Sequence, residues 1–249
     1  MSDKPIAVVT GASSGIGECY AIQLAKRGYD LVIAARRVDR LEKLARDLRD
    51  QHGIAVEVMV ADLSHAESTR EFAKRLSERD RIDCLINSAG FGSNGAYDKL
   101  DPSRIEQELY VDLVALALLN RAVLPGMLAR GKGDIVNIAS LGGLNPTPFF
   151  VPYSAAKAGV VAFSQALYGE VRDRGVHVQV MCPGPVPTEF NEVSGVEDMP
   201  TPDFMLQSAE DCVAIALRHL DQKKPVSIPQ KYCRWIFSSI KFLDRKSVV

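Results

Sequence analysis

The chain has 249 residues, 47% of them hydrophobic, and its 30 Lys and Arg against 31 Asp and Glu leave a formal charge of −1. So even a balance gives no field to gather nucleic acid or another polyanion, and the expectation is one globular domain over residues 1–249. Cys19, Cys84, Cys182, Cys212 and Cys233 are odd in number and lack paired spacing, which argues against a disulfide framework or a metal site. No leader opens the chain and no apolar run is expected to span a bilayer, so the expected location is cytoplasmic.

Ile6–Thr10 reads as a first strand and runs straight into Thr10-Gly11-Ala12-Ser13-Ser14-Gly15-Ile16-Gly17, followed by a helical pattern through Ala25. Glycines let a backbone turn tightly and approach a pyrophosphate, and the helix aims free N–H groups at the same anion. A second strand, Leu31–Ala35, ends on Arg36 and Arg37, where an acidic residue would hold a ribose 2′-hydroxyl. Two guanidiniums suit a 2′-phosphate instead; the plain alternative is that both are solvated residues opening the next helix. That helix carries Leu41, Leu44, Ala45 and Leu48 on one face.

Ala55–Val60 leads to Asp62 and Leu63, and Ile82–Asn87 leads to Ser88, Ala89 and Gly90. A long helix with Leu109, Leu113, Leu116 and Asn120 on one face precedes a fifth strand, Asp134–Ala139, which ends at Ser140. Tyr153 and Lys157 stand at i and i+4, one face apart on a helix. A cation beside a phenol favours the phenolate and makes tyrosine a usable acid or base, although the same spacing occurs on ordinary exposed helices. A sixth strand, Val176–Met181, meets Pro183-Gly184-Pro185-Val186-Pro187-Thr188, the start of an irregular stretch over 183–208 with the character of a functional lid. Pro225–Ile228 is a short seventh strand. Beyond it, residues 230–249 mix Trp235, Ile236, Phe237, Ile240, Phe242 and Leu243 with basic side chains, and are expected to form a helix docked on protein, with a lipid surface as the alternative. Strand and helix alternate throughout, the pattern of an α/β doubly wound parallel sheet.

In this order and after these strands, the segments resemble the T-G-x-x-x-G-I-G, N-N-A-G, Ser, Y-x-x-x-K and P-G-x-V-x-T signatures of the short-chain dehydrogenase/reductase family, with Ser88 in place of the second Asn. The resemblance runs from about Pro5 to Thr188 and implies a Rossmann-type sheet holding NADP(H). It implies that Gly11, Ser13, Ser14, Gly15, Ile16 and Gly17 hold the diphosphate and that Arg36 and Arg37 meet the 2′-phosphate. Asp62, Leu63, Asn87, Ala89 and Gly90 would face the adenosine side, and Pro183, Gly184, Val186 and Thr188 the nicotinamide side. Ser140 would hydrogen-bond the substrate oxygen, Tyr153 would give or take the proton, and Lys157 would hold the ribose and tune Tyr153.

One position departs from the family. Its catalytic Asn, which supports a bulged helix, falls on Asp112, and an ionised carboxylate accepts hydrogen bonds without donating them. The expectation is therefore an NADP-dependent oxidoreductase with an altered proton relay, the alternative being a nucleotide-binding regulator of weak turnover. Leu144, Pro146, Phe149, Phe150, Phe190, Met199, Phe204 and Met205 are expected to frame a pocket for a bulky hydrophobic carbonyl or alcohol, in a homo-oligomer, with no metal.

Overall fold

A strand covered on both faces by helices needs apolar side chains at nearly every position, and this is how the central runs of this chain read. Ile6–Thr10 (β1) and Val176–Met181 (β6) are almost wholly buried, whereas Val56–Val60 (β3) alternates buried and solvent-facing residues. The computed structural model, which describes residues 3–196, 202 and 205–234, explains the contrast. With Asp30–Ala35 (β2), Cys84–Asn87 (β4), Gly133–Ile138 (β5) and Val226–Ser227 (β7), these strands form one parallel sheet in the order β3-β2-β1-β4-β5-β6-β7. β1 and β6 lie inside the sheet and β3 is an edge, where Glu57 projects toward Arg75 and Arg79.

The connections are helical: Gly15–Lys26 (α1), Val38–His52 (α2), Ala66–Ser77 (α3), Pro102–Leu109 (α4), Leu116–Arg130 (α5) and Val151–Val171 (α6). Phe190–Val193 (α7) and Ala209–Asp221 (α8) follow β6. Local chemistry sets their ends. Asp101 accepts from the Ser103 N–H at 3.2 Å ahead of Pro102, and Ser208 accepts from the Asp211 N–H at 3.1 Å. The chain order reverses between β1 and β4, which are neighbours in the sheet although two strands separate them in sequence. The carboxyl ends on either side of that reversal diverge and leave a crevice.

The continuous stretch Pro102–Arg130 is 29 residues long and contains an 18-residue window with a mean hydropathy of 1.6, so one helix does reach the length and apolarity of a membrane span, against expectation. Its buried stripe packs within the protein and includes Asn120, which a lipid-facing surface would not favour. The stripe also differs from the one the sequence pattern predicts. Residues 110–115 form a π turn, and the buried positions become Glu108, Val111, Asp112, Ala115, Leu116, Leu119, Asn120, Val123 and Met127, leaving Leu109 and Leu113 half-buried. A wide turn rotates everything before it around the helix axis, and it carries Asp112 into the interior.

Candidate active site

A cavity of about 690 Å³ occupies the crevice and is lined by the segments that follow β1 to β6. On its nucleotide side, Gly11 sits at φ +67°, and a Cβ on Gly17 would overlap the Gly11 carbonyl oxygen, so the turn into α1 closes only with glycine at both places. The Ser14 side chain makes no capping bond to α1, which leaves the positive end of the helix open toward the cavity. Thr10 Oγ1 accepts from the N–H groups of Ser88 and Ala89 at 3.0 and 3.1 Å, tying the ends of β1 and β4 together. Ser13, Ser14, Gly15, Ile16, Asp62, Leu63, Ala89, Gly90, Pro183, Gly184, Val186 and Thr188 all line the cavity. The arrangement fits a diphosphate on α1 with a nucleoside on each side.

Asn87 does not line it. Its side chain is buried and donates to Asn137 Oδ1 at 2.9 Å, in a cluster that also contains Asn120 and Ser164. Asn87 thus supports the loop that carries Ala89 and Gly90. Burial hidden beneath a motif is not readable from the motif itself.

At the far end, Arg36 is exposed and Arg37 lies across the glycine turn. Arg37 donates to Ser14 Oγ at 2.7 Å and to Ser13 Oγ at 3.0 Å, and pairs with Glu189 at 2.7 Å; Arg40 reaches the same carboxylate at 2.5 Å. The two guanidiniums hold the Glu189 carboxyl down at about 2. Glu189 directly follows Thr188, which packs on Gly15, so the start of the irregular stretch is pinned to the nucleotide side. Nothing in the local sequence singles out Glu189, because its partners lie 152 and 149 residues away.

The catalytic candidates come from β5, the π turn and α6. Ser140 lies two residues beyond β5 and its Oγ accepts from the Gly142 N–H at 3.0 Å. Tyr153 stands in the first turn of α6, its ring 5.2 Å from that of Phe190 and 6.0 Å from that of Phe150. One turn on, Lys157 is 6% exposed; its Nζ donates to the Ile138 carbonyl at 3.1 Å, lies 5.5 Å from the Tyr153 ring centre and is 3.6 Å from Asp112 Oδ2. Burial raises the Asp112 carboxyl to about 6, against the pull of Lys157 and the Phe91 N–H. Burial, with added repulsion from Asp112, pushes the Tyr153 phenol well above its ordinary value, and hydrogen bonding with Ser140 opposes that. The expected lowering of Tyr153 by Lys157 therefore does not govern the phenol, because burial and the Asp112 carboxyl beside the ammonium outweigh it.

Around the open mouth, Phe150, Phe190, Leu141, Val193 and Leu206 line the cavity. Leu144 instead packs under β6, while Pro146 and Phe149 face solvent and Met205 lies outside the lining. Met199 and Phe204 lie outside the described residues. So do residues 235–249 of the tail; its first residues, 231–234, are helical, with Cys233 buried and Gln230 Oε1 accepting from the Gly184 N–H at 3.0 Å. Among the described residues the cysteines are all free and no side-chain cluster could hold a metal ion.

The model of the short chain dehydrogenase family matches residues 5–197. A short-chain dehydrogenase from Sphingobium yanoikuyae, solved in complex with NADPH, shares 36% identity over 98% of this chain and 96% of that one, with a TM-score of 0.88. The bulky-bulky ketone specific alcohol dehydrogenase from Comamonas testosteroni shares 32% identity over 100% and 96%, with a TM-score of 0.85. The very-long-chain 3-oxoacyl-CoA reductase of Anas platyrhynchos is 33% identical over 93% of this chain and 74% of its own length. With most of its length matched and its crevice formed for a nicotinamide cofactor, this chain belongs to the short-chain dehydrogenase family of oxidoreductases.

Proposed function

We propose that this chain is an NADP-dependent oxidoreductase that moves a hydride between NADP(H) and a bulky hydrophobic carbonyl or alcohol. The observation that carries the reading is the convergence of Ser140, Tyr153 and buried Lys157 at one end of a crevice whose other end bears Arg36, Arg37 and Arg40. NADP(H) supplies or accepts the hydride when bound. Ser140 holds the substrate oxygen, and Tyr153, whose ring lies against those of Phe150 and Phe190, passes the proton to or from it. Lys157 is anchored by the Ile138 carbonyl, which fixes its ammonium 5.5 Å from the Tyr153 ring centre, and it would hold the cofactor ribose.

The substrate class rests on the mouth. Val193 and Leu206 line the cavity and remain 46% and 38% exposed, with Phe149 and Val151 exposed beside Phe150. A free apolar rim of this kind favours a large apolar group over a sugar or small acid. Two relatives support it by name: the ketone-specific dehydrogenase acts on bulky-bulky ketones, and the other is named for a very-long-chain acyl substrate. Oxidation of NADPH and of NADH is to be followed with bulky aryl and long-chain ketones and with small polar ones. Preferential NADPH oxidation by the bulky set is expected; tight NADPH binding without turnover of any carbonyl would favour the regulator reading that Asp112 raises. Exposed Val114 and Leu118 on the outer side of the long helix support self-association, which light scattering tests.

A further inference from the structure

Glu108 stands in the last turn of α4 with no exposed surface, and Asp112 follows four residues later at 1% exposure. Among the described residues, neither carboxyl group completes a hydrogen bond of good geometry. Lys157 is the one ion-pair partner of Asp112 among those residues, at 3.6 Å. Asp112 thus pairs with the buried ammonium, while Glu108, about one helical turn before it, has no ion pair of its own among the described residues. Full ionisation of all three would leave the Glu108 carboxylate in the interior without an ion pair, facing only Ser93 and an Arg104 that pairs with neither carboxyl group, which burial disfavours.

We propose that Glu108 is a positioning residue that acts through Asp112: the two carboxyl groups hold one proton between them, so that Lys157 and Tyr153 face a single negative charge. The groups around the pair agree with this. From α4 itself Arg104 faces Glu108, from the loop after β4 comes Ser93, and from α6 come Lys157 and, beyond it, Tyr153. Burial raises Glu108 to about 7 despite Ser93 and Arg104, with repulsion from Asp112 adding to the rise, so Glu108 keeps the proton to higher pH than Asp112 does. Arg104 is committed elsewhere, donating to Ser93 Oγ and the Gly92 carbonyl, each at 3.0 Å. Losing the shared proton places a second negative charge within the field that Tyr153 senses, and makes its phenolate harder to form.

The kinetic consequence rests on the oxidoreductase reading; the shared proton does not, and the experiment separates them. Infrared spectra of the cofactor-free protein, titrated across neutral pH, are expected to show the carbonyl stretch of a protonated carboxyl group that persists near pH 7 and is absent from Glu108→Gln. A wild-type spectrum without that band at neutral pH overturns the proposal whether or not the variant folds. In alcohol oxidation, Glu108→Gln is expected to move the tyrosine-linked limb of the pH–rate profile to lower pH by about half a unit or more, with KM for the alcohol unchanged. A superimposable profile overturns the positioning role. The band present in a protein that turns over no carbonyl or alcohol would overturn the oxidoreductase reading and support the shared proton.

Discussion

Two charged clusters sit at opposite ends of one crevice and are built from the same kinds of group in opposite surroundings. Glu189 with Arg37 and Arg40 is more than a third exposed at every side chain, whereas Asp112 with Lys157 is 0% and 7% exposed. Water screens the first cluster, so its pairing is easily exchanged, and under the proposed function a cofactor phosphate would replace the Glu189 carboxylate. The second is held in low dielectric, where charge must be matched one for one and any imbalance is resolved by moving a proton. The exposed cluster is suited to recognition and the buried one to chemistry.

The sharpest way to break this contrast is to remove the proposed proton donor beside the buried cluster. Tyr153→Phe keeps the ring between Phe150 and Phe190, so NADPH affinity by fluorescence titration should be retained while the single-turnover rate falls about 10²–10⁴-fold. Parental turnover would refute the assigned chemistry. Lys157→Met is expected to lose turnover and, by leaving Asp112 without its cation, about 3 kcal/mol of stability at neutral pH in chemical denaturation. An unchanged midpoint would mean that the pair is already solvated.

The pH dependence of stability sharpens the comparison further. Asp112 is raised on folding from 3.8 to about 6, so its contribution is fully present below about pH 4 and is lost as the pH climbs through 6. Asp112→Asn should flatten that decline in denaturation midpoints measured from pH 4 to 7, and should retain or raise activity. A decline equal to the wild type's would place the titration elsewhere. Glu189→Gln should act with the opposite sign and only at the acid end of that range, because a carboxyl lowered from 4.5 to about 2 contributes its full stability above its ordinary value and loses it as the pH falls toward 2.

The exposed cluster should answer with smaller effects, in cofactor choice. Arg36→Asp removes an attraction for the 2′-phosphate and adds a repulsion, so calorimetry should show NADPH weakened about tenfold or more and NADH little changed. Equal affinities of the unmodified protein for the two cofactors would sink the NADP assignment. Smallest of all, Glu189→Gln should strengthen NADPH binding about two- to fivefold by removing the anion that competes for Arg37 and Arg40, with NADH unmoved. Weaker NADPH binding would mean that Glu189 orders the site instead of competing for it.

What the sequence alone determined is whatever neighbouring residues decide between themselves. β1 and β6 run over Ile6–Thr10 and Val176–Met181 as the apolar runs predict, and Gly11 to Gly17 turn into a helix because those φ values and close approaches admit only glycine. β4 starts at Cys84 and not at Ile82, and the Asp83 side chain ahead of it accepts from the Ile6 N–H at 2.8 Å, a partner 77 residues away. Tyr153 and Lys157 were legible for the same local reason, as one helical turn. Tertiary structure alone decided that the field of Lys157 is shared with Asp112, that Asn87 faces away from the cavity, and that the start of the irregular stretch binds Arg37 and Arg40. The i,i+4 spacing of Glu108 and Asp112 was in the sequence, but spacing does not say which side of a helix is dry. A π turn and the packing of α6 made it the inner side, and burial is a property of everything that surrounds a residue.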